Sequence, residues 1–308
     1  MRGSWLALLL AAALLPLAGR PADPNGPEVA RLRDAMERVR PLYKPMGPIL
    51  PEEWLTSYPE QGQTFRQYLA SRPYVPDGKR RVLYLQLLGA FTPAQSRIAS
   101  LTADYLERSF GLPVRVKPPL PLDRVPSWAH RFNSMTETEQ IQTDYLMGLL
   151  KDDRPDDAFA QIGLVAMDLY PDNPMNFVFG QASPYERVAV WSLYRLGQPE
   201  KGGEELRYAL VRTLKTASHE MGHLFSLEHC TKYRCVMNGA NSLDELDSHP
   251  LDTCPECMAK ICWATGYDPR RRFERLADFF ARQGMGSASA SFARRRDALL
   301  DKPGRPPV

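Results

Sequence analysis

Uninterrupted apolar runs, typical of strands, alternate along the chain with segments in which apolar residues recur at helical spacing. This alternation predicts an α/β fold with a mixed sheet. The clearest run, residues 82–88, ends at Gly89 and is typical of a buried strand. Further strands are predicted at 114–116, a short one, and at 162–167. Helices are predicted at 29–39, at 64–69, at 137–151 and from Pro93 onward, after the capping residue Thr92.

The later part of the chain adds two strands and a long helix. Residues 176–180 and 188–193 are predicted to be strands, and the first is short and flanked by turn residues, as an edge strand is. Residues 204–226 are predicted to form one long helix, because apolar residues recur along one of its faces. A final amphipathic helix is predicted over 270–282.

The two ends of the chain differ from its centre. Residues 1–19 combine a positive start, an apolar run and a small-residue end, which is typical of a secretory signal peptide; an uncleaved anchor is the alternative. Residues 20–79 are rich in proline and are interpreted as an N-terminal extension packed on the core. Residues 80–283 form the main domain, and residues 284–308 are expected to be a flexible C-terminal tail.

Composition describes an ordinary globular protein. The 308 residues are 44% hydrophobic and 24% charged, so that the chain can bury a sizeable core. A formal net charge of +3 is too small and too scattered to favour a nucleic-acid partner. No stretch after residue 19 approaches the length of a membrane span. We therefore expect a secreted or periplasmic monomer without stable membrane association after signal cleavage.

Three of the five histidines lie close together at the end of the predicted long helix. His219 and His223 are four residues apart and so share one helix face, where both can bind one metal ion. His229 offers a third ligand, and three protein ligands leave a fourth zinc position open for water. Glu220 lies beside them and is free to accept and donate a proton. The pattern predicts the catalytic zinc site of a hydrolase.

Four of the five cysteines follow in two close pairs. Cys230 and Cys235 form C-x4-C, and Cys254 and Cys257 form C-x2-C, an arrangement typical of a tetrahedral structural zinc site. Two disulfides are the alternative, because a signal peptide implies an oxidising compartment. Cys262 is interpreted as a buried core cysteine.

The stretch HExxHxxSxxHC, together with the later methionine and cysteines, resembles the archaemetzincins, a branch of the metzincin metallopeptidases. The resemblance extends over roughly residues 50–283 and includes DLY at 168–170, NFVFGQA at 176–182 and SLYRL at 192–196. It implies an α/β (α+β) metzincin-like fold, in which a mixed twisted sheet is joined to an active-site helix and a smaller C-terminal subdomain. The catalytic domain would span residues 80–283.

The resemblance also implies roles for individual residues. The four paired cysteines would hold a second, structural zinc ion, and Met237 would be the Met-turn residue, which packs near the catalytic metal without binding it. The strand at 176–180 would pair with an extended peptide substrate; a plain structural strand is the alternative. The family has glycine where this chain has Ser226. We expect Ser226 to adopt the left-handed turn with zinc still bound, because the strain is only about 1 kcal/mol.

These observations predict a zinc metallopeptidase that acts on a peptide or protein substrate. Zinc would lower the pKa of its bound water toward about 7 and polarise the scissile carbonyl. Glu220 would take the water proton and return it to the leaving amine. The alternative is a non-catalytic, zinc-stabilised peptide-binding protein derived from the same fold. The presence of Glu220 favours the enzyme, since a binding protein needs no base beside two metal ligands.

Overall fold

The computed structural model describes residues 23–300. The predicted signal peptide lies outside this range, and the secreted or periplasmic location stays a prediction. The helices are α1 (Pro27–Val39), α2 (Trp54–Ser57), α3 (Phe65–Ala70), α4 (Pro93–Phe110), α5 (Thr143–Asp152), α6 (Gly203–Leu224), α7 (Leu243–Ser248), α8 (Pro255–Thr265), α9 (Pro269–Arg282) and α10 (Gly286–Ala298). The strands are β1 (Val82–Leu88), β2 (Val114–Leu120), β3 (His130–Asn133), β4 (Thr138–Gln142), β5 (Ala158–Val165), β6 (Asp168–Tyr170), β7 (Gly180–Ser183) and β8 (Val188–Ser192).

A five-stranded sheet in the order β2-β1-β5-β8-β7 lies at the centre of the fold. Its first four strands are parallel, and β7 runs antiparallel along the edge. A smaller sheet in the order β3-β4-β6 combines one antiparallel and one parallel pairing. The prediction of an α/β fold with a mixed sheet is therefore confirmed.

Helices cover both faces of the central sheet, so that every residue of β5 and β8 is buried. Side chains of β8 alternate between the faces, as a strand requires. Ala189 and Trp191 belong to the core that contains α4 and α6, whereas Val188 and Val190 pack in the core that contains α5. This packing holds α6, the helix that carries the paired histidines, firmly against the sheet.

The predicted helix over 137–151 is wrong in its first part. Residues 138–142 form β4, which pairs with β3 on one side and with β6 on the other, and the helix begins only at Thr143. Ile141 is fully buried in this small sheet. Pairing on both sides satisfies the backbone of β4, and that tertiary benefit overrides the helical spacing of the sequence.

The predicted edge strand at 176–180 is displaced by several residues. The observed edge strand is β7, in which Gln181 pairs with Val190, and it shares only Gly180 with the prediction. The carbonyl of Asn176 instead accepts hydrogen bonds from Arg131 (2.8 Å) and Gln140 (2.9 Å). Residue 176 is therefore tied to the small sheet and takes no part in a strand.

The expectation of a flexible tail from residue 284 is wrong over 286–298, where the chain forms α10. The Phe292 ring stacks on Phe280 of α9 at 5.3 Å between ring centroids. The guanidinium of Arg295 lies 4.5 Å from the centre of the Tyr43 ring. One large apolar side chain among small residues is enough to anchor the helix to the core.

The proline-rich segment packs along the main domain. Its helices α1 and α3 contact α8, and Pro45 forms an isolated bridge with Tyr233. Tyr68 of α3 is fully buried and donates a hydrogen bond to the carbonyl of Phe225 at 2.9 Å. Within residues 23–300, no helix combines the length and apolar character needed to cross a bilayer.

We expect Phe292→Ala to lower the free energy of unfolding by about 3 kcal/mol, because it removes a buried aromatic ring that stacks on α9. Denaturant unfolding of the zinc-loaded protein measures this change. Arg294→Ala, at an exposed position of the same helix, is the control and should unfold like the wild type. Equal stability of both variants would support a detached tail instead.

Candidate catalytic metal centre

The last two turns of α6 carry His219, Glu220 and His223. Three apolar residues of these turns, Ala217, Met221 and Leu224, are fully buried in the main core. The backbone of the histidine turns is therefore fixed by packing, as a metal ligand requires.

The helix ends in a tight reversal with Ser226 in the left-handed conformation, at φ 64°. The N–H of Ser226 donates to the His223 carbonyl (2.8 Å) and the N–H of Leu227 donates to the Gly222 carbonyl (3.1 Å). These two bonds define a Schellman motif, in which glycine is the usual left-handed residue. The hydroxyl oxygen of Ser226 accepts a hydrogen bond from the N–H of Tyr74 at 3.0 Å. The expectation that Ser226 adopts this turn is confirmed.

The reversal brings the third imidazole to the other two. The Nε2 atom of His219 lies 3.0 Å from that of His223 and 3.2 Å from that of His229. Three nitrogens bound tetrahedrally to zinc at about 2.0–2.1 Å would be about 3.3 Å apart. The Nε2 atoms are thus spaced as ligands of one zinc ion.

Hydrogen bonds to the other ring nitrogens decide which nitrogen can bind the metal. The Nδ1 atom of His219 donates to the Val236 carbonyl (2.9 Å), and that of His223 donates to the Leu227 carbonyl (2.8 Å). A carbonyl only accepts, so the proton of each neutral ring is on Nδ1 and the lone pair is on Nε2. Burial lowers the pKa of His223 to about 4, which keeps this ring neutral for metal binding.

His229 is oriented differently from the two helical ligands. Its Nδ1 lies 2.9 Å from each carboxylate oxygen of Glu60, a residue of the N-terminal segment. Burial raises the pKa of Glu60, but hydrogen bonds from His229 and Trp54 outweigh it and hold that pKa below its usual value. Glu60 is therefore an anionic acceptor for the third imidazole.

Glu220 is almost completely buried beside the histidines, with 6% of its surface exposed. Burial alone raises the pKa of Glu220 to about 8. The first residue of β7 lies directly against it: a Cβ atom on Gly180 would be 2.7 Å from Glu220 Oε1. Only glycine at this position leaves room for the carboxyl group.

Met237 packs against α6 between the two helical histidines. A Cβ atom on Gly222 would lie 2.4 Å from the sulfur of Met237, so this close contact depends on a glycine in the helix. Met237 is fully buried, and its carbonyl accepts a hydrogen bond from the N–H of Cys230 at 2.8 Å.

Four buried thiols form a second cluster immediately behind the histidines: Cys230, Cys235, Cys254 and Cys257. Their sulfur atoms all lie within 4.8 Å of one another, and the Cys230 and Cys254 sulfurs are 3.6 Å apart. Sulfurs bound tetrahedrally to zinc at about 2.3 Å would be about 3.8 Å apart. All four thiols are free in the structure, in an arrangement that suits one metal ion better than two separate disulfides.

Asn238 ties this cluster to the end of the histidine loop. Its side chain donates to the carbonyls of Cys230 (2.6 Å) and Tyr233 (3.0 Å) and accepts from the N–H of Cys235 (2.7 Å). The Cys235 sulfur also accepts a hydrogen bond from the N–H of Cys254 at 3.1 Å. Cys262 lies outside the cluster, and burial raises the pKa of its thiol to about 12.

A cleft of about 510 Å³ opens over the histidines and Glu220. Its walls are largely apolar and come from residues 175–182, from residues 238–241 and from Trp54 and Tyr58. Sequence patterns identified the histidines and Glu220 but missed Trp54, Glu60 and Gly180. Their roles depend on contacts between distant segments, which leave no local signal in the sequence.

The chain is similar to a known protein family, to curated relatives and to solved structures. The model of peptidase family M54 matches residues 107–262. Archaemetzincin-2 from Homo sapiens is 32% identical, over 82% of this chain and 78% of its own length. Archaemetzincin-2 from Macaca fascicularis is 31% identical, over 88% and 84% of the two chains. The crystal structure of archaemetzincin from Methanopyrus kandleri is similar at a TM-score of 0.51 and 29% identity, covering 63% of this chain and 99% of that one.

Substitutions of Ser226 separate backbone strain from hydrogen bonding. Ser226→Gly removes about 1–2 kcal/mol of left-handed strain but also the bond to Tyr74, worth about 1 kcal/mol. We therefore expect a stability within about 1 kcal/mol of the wild type and an unchanged zinc affinity. Ser226→Ala keeps the strain, loses the bond and should be less stable by about 1 kcal/mol. Denaturant unfolding and zinc titration measure both effects, and a marked loss of zinc affinity in Ser226→Gly would contradict this account.

Proposed function

Since the chain belongs to peptidase family M54, the archaemetzincins, and is a zinc metallopeptidase, we propose that its histidine cluster holds the catalytic zinc and that Glu220 is the general base. The convergence of the Nε2 atoms of His219, His223 and His229 carries this proposal. Each Nδ1 has its own acceptor, so all three lone pairs are directed to the same place. The donor set and its spacing fit zinc.

Zinc bound there would supply a Lewis acid and would lower the pKa of a water molecule. Glu220 would accept a proton from the water that attacks the peptide carbonyl. Burial raises the pKa of Glu220 to about 8 in the metal-free protein, and the positive charge of zinc beside it would lower that pKa and favour the carboxylate that accepts the proton. The protonated carboxyl then returns the proton to the leaving nitrogen, which restores Glu220 for another turnover.

We propose further that the substrate lies extended along β7. This strand is at the edge of the sheet and begins, at Gly180, against Glu220. An edge strand offers unpaired backbone groups to which an extended peptide adds as another strand. Such pairing would run the peptide past Glu220 and the histidines, with its side chains in the apolar cleft. A monomeric state suffices for this arrangement and stays a prediction.

Glu220→Gln should lower kcat for peptide hydrolysis by about 10²–10⁴-fold, because the amide cannot accept the water proton. The zinc content should stay that of the wild type, since Glu220 binds no metal in this mechanism. Peptide-library hydrolysis and metal analysis of the same sample measure the two effects. Glu204→Gln, at the exposed beginning of α6, is the matched control and should keep full activity.

Full activity of Glu220→Gln in a sample of verified zinc content would refute the mechanism. A wild-type protein that binds peptides without cleaving them would support the non-catalytic alternative.

We also propose that the four-cysteine cluster holds a second, structural zinc. The four sulfurs lie within 4.8 Å of one another, which supports this, as does the hydrogen bond from the N–H of Cys254 to the Cys235 sulfur. When bound, this zinc would fasten Cys230, the neighbour of the ligand His229, to the beginning of α8, which Cys254 caps. The two metal sites would thus share one loop.

Metal analysis of the purified protein tests this second site. We expect two zinc ions per chain in the wild type and one in Cys254→Ala, which should also unfold at a lower denaturant concentration because metal binding contributes to folding. Cys262→Ala removes a buried thiol outside the cluster and should keep both ions. One zinc ion in the wild type, with no free thiol in the cluster, would establish the disulfide alternative.

A further inference from the structure

A short segment of the N-terminal extension, Glu53–Glu60, lies against the loop of the third histidine. It is outside residues 107–262, the part that the family model matches. The backbone N–H of Trp54 donates to Glu245 Oε1 at 2.8 Å. The indole ring lies flat on the backbone of Gly239: a Cβ there would be 2.5 Å from the ring. This seating fixes Glu53–Glu60 relative to the catalytic centre.

The segment makes two contacts with His229. The Trp54 indole and the His229 imidazole pack in a T-shaped arrangement, with 5.3 Å between ring centroids and an interplanar angle of 81°. Both carboxylate oxygens of Glu60 lie 2.9 Å from His229 Nδ1. The indole N–H of Trp54 donates to the same carboxylate at 3.1 Å and so holds it in place.

The three ligands therefore depend on different parts of the chain. His219 and His223 are attached to a buried helix, and their Nδ1 atoms donate to carbonyls within 17 residues of them in sequence. His229 follows the helix in a loop, and its Nδ1 acceptor is a side chain 169 residues away. A carboxylate in this position fixes the ring orientation and strengthens the imidazole as a metal ligand.

We propose that Glu60 is the positioning residue of the third zinc ligand and that Trp54 holds the Glu60 carboxylate in place. The proposal rests on the proposed function, since it assumes that His229 binds the catalytic zinc. Glu60 touches no substrate and takes no part in the proton transfers of Glu220. Its effect is on how tightly, and with what geometry, His229 closes the metal site.

The test is the zinc affinity of the catalytic site in the full chain, measured by competition with a chelator. His223→Ala identifies which step of zinc release belongs to this site. For that step, Glu60→Ala should weaken zinc binding by about 10–100-fold. Glu60→Gln keeps a carbonyl oxygen as acceptor and should recover part of the loss. Glu52→Ala, at an exposed position immediately before this segment, is the matched control and should bind zinc like the wild type.

Two further measurements separate positioning from general stability. The zinc-free forms of wild type and Glu60→Ala should melt at the same temperature, because the effect is on metal binding. The absorption spectrum of the cobalt-substituted protein should change in Glu60→Ala, since cobalt reports ligand geometry, and should be unchanged in Glu52→Ala.

Unchanged zinc affinity and an unchanged cobalt spectrum in Glu60→Ala would overturn the proposal while leaving the histidine site intact. A lower melting temperature of zinc-free Glu60→Ala, with unchanged affinity, would likewise overturn it and assign Glu60 a structural role. If His223→Ala leaves the zinc content of the protein unchanged, both this inference and the proposed catalytic site are wrong.

Discussion

The site requires three imidazoles directed at one point, but α6 carries only two of them. The reversal of the chain after α6 brings the third imidazole to the other two. The Schellman bonds end the helix directly after His223, at Leu224, and send the chain back toward His223. Leu227 takes part twice, because its N–H closes the reversal and its carbonyl accepts the Nδ1 proton of His223. The turn that brings His229 to the site therefore also orients His223.

The orientation of the His219 ring depends on a different part of the fold. The carbonyl that orients His219 belongs to Val236, whose own N–H donates to the carbonyl of Asp252 at 3.1 Å. Asp252 is buried and forms an ion pair with Arg272 of α9 at 2.9 Å. A buried carboxylate without its cation would be strongly destabilising. The ion pair therefore fixes the position of Asp252 and, through its carbonyl, that of Val236. The cysteine cluster includes residues of the same two segments, so that the structural metal proposed there would also stabilise the histidine site.

The sequence predicted most of what is encoded locally. The spacing of His219 and His223, the run of β1 and the capping residue Thr92 each depend on neighbours within a few residues, and each matches the structure. The errors have the opposite origin. The strand β4 forms because β3 and β6 pair with it. The helix α10 is held in place because Phe292 stacks on Phe280 of α9. Glu60 and Gly180 were missed for the same reason, since each acts on a residue far away in the chain.

The N-terminal extension is better described as part of the catalytic centre than as an addition to it. The Glu60 carboxylate accepts a hydrogen bond from His229, and Tyr68 donates one to the carbonyl of Phe225, at the end of α6. Ser226 also contacts the extension, because its hydroxyl oxygen accepts a hydrogen bond from the N–H of Tyr74. Glycine cannot form this bond. A hydrogen bond worth about 1 kcal/mol offsets at least half of the left-handed strain of about 1–2 kcal/mol. The departure from glycine is therefore understandable in a chain whose extension covers the turn, because the residue that strains the backbone also ties the extension to it.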